Sequence, residues 1–294
     1  WNKITNEKYT VFMAVPTVYV KMIDATVWSN FDSAQSDNRN DEPVLLKRHD
    51  FFSTFRLMVS GSAALPVSVL EKWKEITGHT LLERYGMTET GMVLSNPYKG
   101  ERKAGAVGQV LPGMEVRIVN ESGEVVDEEG ELQVKGKNLF DCYWNNPART
   151  TVQSGGNFET KKSFTKDNWF KTGDMVRLEN GYYYIIGRLS TDIIKSGGYK
   201  ISALEIESVL LENPNVKECA VCGLADETWG EKIGVAIVWK EQSHSLEEIR
   251  DWMQDKLASY KLPAVLVNVD QLPRNVMGKV MRNEIRLLLH RNHE

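Results

Sequence analysis

Apolar and polar residues change period along the chain. Tyr9–Val15 and Arg56–Ser60 are short, mainly apolar runs, which predicts buried strands. Pro16–Ala25 and Leu65–Thr77 instead repeat at helical spacing, the second with Pro66 near its first turn, where a missing amide hydrogen costs little. This alternation predicts a mixed α/β domain whose helices cover a sheet. From Gly105 to Tyr184 the runs shorten to strands at Glu115–Val119, Glu131–Val134 and Tyr182–Ile186, with Gly113, Gly123, Gly130 and Gly181 between them, the pattern of a small β subdomain. After Arg188 the texture changes again. Helices are expected at Ser202–Glu212, Ser245–Ala258 and Arg282–Leu289, and strands at Val216–Gly223, Lys232–Trp239 and Ala264–Asn268, a smaller α+β unit. The expected domains are therefore 1–189 and 190–294, with the boundary within Leu189–Thr191. Ser29–Glu42 and Gln153–Lys166 are polar and are expected to be surface loops.

Composition narrows the class. At 294 residues the chain exceeds the usual domain size of about 100–200 residues, so two domains are the natural division. With 41% hydrophobic and 26% charged residues it matches a globular protein and excludes a disordered or fibrous one. A formal net charge of -4 offers no general attraction to nucleic acid or anionic membrane. No apolar run approaches the ~18–20 residues of a membrane span, and nothing calls for an obligate protein partner. Small-molecule chemistry is the remaining default. The three cysteines, Cys142, Cys219 and Cys222, are too few for a disulfide scaffold. Cys219 and Cys222 form a C-x-x-C, but Val216–Cys222 reads as a strand, where positions three apart face opposite ways, so they are expected to pack rather than share a metal.

Candidate chemistry lies in five segments. Glu83-Arg84-Tyr85-Gly86-Met87-Thr88-Glu89-Thr90 combines a glycine turn, a hydroxyl donor and a carboxylate that suits magnesium; alone, it also fits a loop entering a helix. Ser60-Gly61-Ser62-Ala63-Ala64-Leu65-Pro66 places small residues between a strand and a helix, which lets a planar ligand approach the main chain; alone, it fits a tight turn. It lacks the G-x-S-x-G frame of a hydrolase elbow. Trp169-Phe170-Lys171-Thr172-Gly173-Asp174 offers an aspartate able to accept from two hydroxyls, or a turn residue. Gly187-Arg188 precedes the glycine-bearing loop Asp192–Ser202. Pro273–Lys279 presents a lysine after Gly278, which can bring a compact charge to phosphoryl oxygens or simply be solvated. None of the five histidines (His49, His79, His244, His290, His293) falls in these segments, which argues against a Ser-His-Asp hydrolase.

Taken in this order, the five segments resemble the adenylate-forming superfamily of acyl-coenzyme A synthetases, luciferases and carrier-protein adenylation domains, over about Val11 to Lys279. The resemblance implies an ATP-, magnesium- and coenzyme A-dependent ligase that makes an acyl-adenylate and then a thioester. It implies that Tyr85 flanks the adenine beside Gly86, that Thr88 touches the α-phosphate and that Glu89 helps hold magnesium. Gly61, Ser62 and Ala63 would line the adenine and acyl pocket, Asp174 the ribose, and Arg188 the ribose or phosphate side. Lys279 would be the adenylation lysine. The smaller domain would swing about a hinge at Ser190, with Gly198 leaving room for the pantetheine arm; relatives commonly carry Asp or Lys at the hinge, so Ser190 departs from their pattern.

Glu83-Arg84 before the Tyr-Gly motif, with Ser60–Pro66 and Ser95-Asn96-Pro97, most resembles the malonyl-coenzyme A synthetases, including a mitochondrial animal form. Malonate keeps a second carboxylate after activation, and Arg84 is the cation placed to meet it; an arginine paired with Glu83 or Glu89 is the competing reading. A mitochondrial location follows from the same resemblance, with the cytoplasm as the alternative. The family's Ser/Thr/Gly-rich triphosphate loop ending in Pro-Lys is absent, as is an initiator methionine, so the natural amino terminus is expected upstream. Medium-chain or aromatic acids are the alternative substrates. A non-catalytic nucleotide-binding fragment is the alternative of another class.

Overall fold

In the computed structural model, strands β1 (Val11–Ala14), β2 (Leu57–Ser60) and β3 (Leu82–Met87) run parallel, with Met13 beside Val59 and Ser60 beside both Ala14 and Glu83. The structure describes residues 4, 7–33, 52–143, 158–275 and 278–292. Parallel neighbours need crossover connections, and helices α1 (Pro16–Ser33) and α2 (Val67–Thr77) follow β1 and β2. The helices and strands share a core of Tyr19, Phe52, Phe55, Met58, Leu70, Trp73, Ile76 and Leu81. Trp73 meets Tyr19 edge-on at 4.8 Å between centroids, an arrangement that sets a ring edge against a ring face. The Tyr19 hydroxyl donates to the Val59 carbonyl at 2.7 Å, so its polar tip is satisfied inside the core. Two antiparallel strands, β4 (Gly91–Ser95) and β5 (Gln109–Val110), complete this sheet in the order β1-β2-β3-β4-β5.

A second sheet contains β6 (Met114–Val119), β7 (Val125–Val126), β8 (Glu129–Gly136), β9 (Phe170–Glu179) and β10 (Tyr182–Arg188), ordered β10-β9-β8-β6-β7. Val93, Leu94, Ile118, Leu132, Val134 and Val176 fill its core.

Two loop expectations need correction. Ser29–Ser33 is helical, because α1 meets no proline or glycine between Thr17 and Ser33, while 34–42 lies outside the described residues. In Gln153–Lys166, 153–157 also lies outside them, but Phe158–Lys162 is helix α3. The following Phe164 packs against Phe140 and Phe170 at 5.9 and 5.4 Å, so an aromatic anchor holds a segment whose composition reads as solvated.

The chain divides into two compact units, Trp1–Thr172 with Val176–Ile185, and Gly173–Met175 with Ile186–Glu294. Residues 173–175 join the second because the Leu189 amide donates to the Gly173 carbonyl at 2.8 Å. The second unit carries β11 (Ile193–Ser196), β12 (Tyr199–Ser202), helix α4 (Ala203–Leu210), β13 (Val216–Asp226), β14 (Gly230–Trp239), helix α5 (Leu246–Met253), β15 (Val265–Asn268) and helix α6 (Arg282–Arg291). Its sheet runs β12-β11-β14-β13, with β15 parallel to β14. Ile206, Leu210, Val221, Val235, Ile249 and Met253 pack on one face, and Ala220, Cys222, Ala236, Ile285 and Leu289 on the other. Cys219 packs with the first group and Cys222 belongs to the second, as strand alternation requires. Helix α5 stops at Met253, short of the expected Ala258; its last residues form turns leading to a 3-10 turn at Ser259–Lys261 before Pro263.

Candidate functional site

Eight of the predicted residues lie in the first unit, at the carboxyl ends of its parallel strands, where open α/β sheets bind ligands. Gly61, Ser62 and Ala63 leave β2; Gly61 is buried, while Ser62 and Ala63 are exposed. Ser62 adopts φ 70, a left-handed conformation that a non-glycine residue holds only at a cost. Beside them, Arg84 and Tyr85 sit on β3. A Cβ built on Gly61 would come within 2.9 Å of the Arg84 guanidinium, so the absence of a side chain at Gly61 makes room for that group. Arg84 Nε is buried without a hydrogen-bond partner, and no carboxylate among the described residues lies within ion-pair reach of this guanidinium. Glu83 turns away to accept from the Gly105 amide at 3.3 Å, and Glu89 accepts from the Tyr143 hydroxyl at 3.2 Å. The scaffold reading of Arg84 therefore loses both of its partners.

The Tyr85–Thr90 segment forms a β3–β4 hairpin rather than a loop entering a helix. Gly86 lies where a Cβ would meet the Gly91 carbonyl oxygen at 2.2 Å, so any larger residue would push the strands apart. The turn is pinned by Thr90, whose amide donates to the Met87 carbonyl at 3.1 Å. It displays Thr88 to solvent and leaves Glu89 half-buried, anchored through its carbonyl by the Phe140 amide at 2.8 Å. Among the described residues no cluster of three or more His, Cys, Asp or Glu is arranged for a metal. A lone carboxylate nevertheless fits magnesium, which takes most of its oxygens from phosphate and water.

The second unit holds Asp174, Arg188, Ser190, Gly198 and Lys279. Asp174 lies inside β9, not in a turn, and its side chain is only 9% exposed. Arg188 clasps it with two nitrogens, Nε to Oδ1 at 2.8 Å and Nη2 to Oδ2 at 3.3 Å, so the two predicted ribose-side residues form one planar pair. Ser190 is exposed in the turn that follows β10. Gly198 lies at the tip of the β11–β12 hairpin with φ 83, and nothing lies within 4 Å of the position a Cβ would take. Lys279 is exposed on a loop closed by an Arg274–Val280 bridge.

Sequence reasoning passed over two features. Glu83 is a buried carboxyl, 5% exposed, and burial pushes it from 4.5 up to about 8. Arg282 is enclosed by Asp192 at 2.7 Å, by both oxygens of Glu207 at 2.7 and 3.1 Å and by the Val221 carbonyl at 2.6 Å. Burial raises the Glu207 carboxyl while Arg282 pulls it back down. The available signal was an arginine at the first position of an otherwise ordinary amphipathic helix, where a positive charge meets the unfavourable end of the helix dipole and so needs anionic partners.

The family model of AMP-binding enzymes matches residues 1–144, and that of the AMP-binding enzyme C-terminal domain matches residues 205–279. The chain belongs to the AMP-binding enzymes. Among curated members of this family, the chain is 44% identical to the mitochondrial malonate–CoA ligase of Bos taurus, over 97% of this chain and 50% of that protein. It is 45% identical to the malonate–CoA ligase of Arabidopsis thaliana, over 96% of this chain and 45% of that protein. Among solved AMP-binding enzymes, ATP-bound MatB from Rhodopseudomonas palustris superposes with a TM-score of 0.82 at 34% identity, covering 100% of this chain and 53% of MatB. The chain thus spans about half the length of the relatives it matches.

Proposed function

We propose that these residues belong to an ATP-dependent acid–thiol ligase that converts malonate first to its acyl-adenylate and then to malonyl-coenzyme A. The observation that carries the choice of acid is the Arg84 guanidinium, lodged on Gly61 with no carboxylate among the described residues to neutralise it. The Arg84 side chain is half-buried and its Nε meets no acceptor, and the free carboxylate of a dicarboxylic acid supplies one. An octanoyl or aromatic acyl chain offers no anion there. The names of the bovine and Arabidopsis relatives support the same acid.

Within this reading the malonate carboxylate attacks the α-phosphorus and expels pyrophosphate. Both reactants are anions, so the protein's contribution is orientation and charge neutralisation rather than a side-chain nucleophile. Thr88 donates to the α-phosphate, Tyr85 flanks the adenine, and Lys279 brings positive charge to the developing phosphoryl oxygens. Asp174, held in plane by Arg188, accepts from the ribose hydroxyls. Glu89 would hold the magnesium ion, which when bound supplies further neutralisation of the phosphates. Gly198 leaves space for the coenzyme A arm, and Ser190 is the hinge. The location we propose is mitochondrial, as the names of the animal relatives state of those proteins.

The test is ATP–pyrophosphate exchange by the longest natural chain that carries these residues, with malonate, methylmalonate, acetate and octanoate compared. Malonate is expected to support the fastest exchange, and exchange with octanoate but not malonate would reject it. Lys279→Ala is expected to abolish exchange while sparing thioester formation from supplied acyl-adenylate; equal loss of both steps contradicts its role.

A further inference from the structure

Lys279 stands on a loop whose internal hydrogen bonds define its shape. The Asn275 amide donates to the Lys279 carbonyl at 2.9 Å, the Gly278 amide to the Asn275 carbonyl at 2.9 Å, and the Lys279 amide to Asn275 Oδ1 at 2.9 Å. The Met281 amide closes the base by donating to the Pro273 carbonyl at 2.9 Å. These bonds are all local. They make a tight loop but do not say which way it points from the sheet.

One side chain supplies that direction. Arg274 Nη1 donates to the Gly278 carbonyl oxygen at 2.8 Å, and its Nη2 donates to Glu218 Oε2 on β13 at 2.6 Å. The carbonyl it holds belongs to the peptide unit whose nitrogen is that of Lys279. A single rigid guanidinium therefore ties the peptide preceding the lysine to β13, an edge strand of the second unit's sheet, through a planar fork that a flexible ammonium does not preset. The side chains of Arg274 and Glu218 are 29% and 35% exposed, and ion pairs that wet stabilise a fold little. Stability does not account for the arrangement, whereas orientation does.

We propose that Arg274, acting through the Gly278 carbonyl and braced by Glu218, is a positioning residue for Lys279 in acyl-adenylate formation. The proposal rests on the reading of Lys279 as the adenylation lysine. A cation displaced by about 1 Å from its productive place loses on the order of 100-fold in rate, while binding contacts made elsewhere persist.

The experiment compares Arg274→Gln, Arg274→Lys, Glu218→Gln and Lys279→Ala in the longest natural chain that carries these residues. It measures malonate-dependent ATP–pyrophosphate exchange, thioester formation from supplied acyl-adenylate, and the unfolding midpoint. Arg274→Gln is expected to lower kcat for exchange by about 30- to 100-fold with little change in the KM for ATP, and to leave thioester formation within about twofold. Arg274→Lys, which keeps the charge but not the planar fork, is expected to recover part of that loss, and Glu218→Gln to fall between Arg274→Lys and the unsubstituted chain. The unfolding midpoint is expected to stay unchanged in all of them. Equal loss of both half-reactions, or a lowered midpoint that tracks the loss, would assign Arg274 a merely structural part and overturn the proposal. Exchange unaffected by Arg274→Gln but abolished by Lys279→Ala would overturn it while leaving the lysine's role intact. Exchange unaffected by Lys279→Ala would remove the reading of Lys279 itself, and the proposal with it.

Discussion

Replacing Glu83 by glutamine is expected to stabilise the protein at neutral pH and to do almost nothing at pH 4.5. Glu83 is 5% exposed, no cation among the described residues pairs with it, and its Oε1 accepts from the Gly105 amide at 3.3 Å. Burial raises its carboxyl from 4.5 to about 8, so at pH 7 the native state keeps a proton that the unfolded chain releases. A raised acid therefore gives its full stability below about pH 4.5 and loses it as the pH climbs towards 8. Each pH unit in that window is worth about 1.4 kcal/mol, which makes the penalty at pH 7 on the order of 3 kcal/mol and at pH 8 between 4 and 5. Glutamine keeps an oxygen to accept from Gly105 and has no proton to lose. Urea unfolding followed by tryptophan fluorescence at pH 5, 7 and 8 measures the difference. The variant is expected to gain about 3 kcal/mol at pH 7 and less than 1 at pH 5. A difference that does not grow with pH, or a variant less stable than the parent at pH 7, would refute the buried-acid account.

Three further outcomes follow from the geometry. Gly108→Ala sets a Cβ within 1.9 Å of the Ser95 carbonyl carbon at φ 102, and is expected to cost about 3 kcal/mol or more in the same assay; a cost below about 1 kcal/mol would show that the β4–β5 connection can move. Arg282→Ala strands the Glu207 and Asp192 carboxylates in a poorly solvated site, with an expected loss of about 3–5 kcal/mol. Thermal unfolding checks it, and a loss near zero would mean that water replaces the guanidinium. Gly61→Ala directs a methyl group at the Arg84 guanidinium and is expected to raise the KM for malonate by roughly 10-fold or more while leaving that for acetate alone, since one charged hydrogen bond is at stake. Steady-state kinetics with both acids decides it, and an equal effect on the two would detach Arg84 from acid choice.

The burial pattern of single elements was legible in the chain itself. Apolar spacing located β1, β2, α2, β13, β14 and α6 to within a few residues, because the two helices bury one face that repeats at helical period, while β2, β13 and β14 are buried on both faces and read as short, mainly apolar runs. It also separated Cys219 from Cys222 across a strand. The composition of the site segments was equally visible, since glycine, hydroxyl, carboxylate and lysine are recognisable wherever they fold. The strands that carry Tyr85, Gly86 and Asp174 were not visible. Glycine, lysine and acidic residues form strands poorly by themselves, and it is pairing with neighbours distant in sequence that makes strands of them. The same holds for charge: the sequence places Arg84 next to Glu83 and within five residues of Glu89, and suggests a pair. Folding sends alternate side chains of β3 to opposite faces, turns Glu83 to Gly105 and leaves the Arg84 guanidinium on Gly61. The chain alone thus determined which groups are available and which segments are buried. Only the tertiary structure decided which charges are neutralised, because electrostatic partners are set by distance and desolvation in space, and neither is a property of neighbouring positions in a sequence.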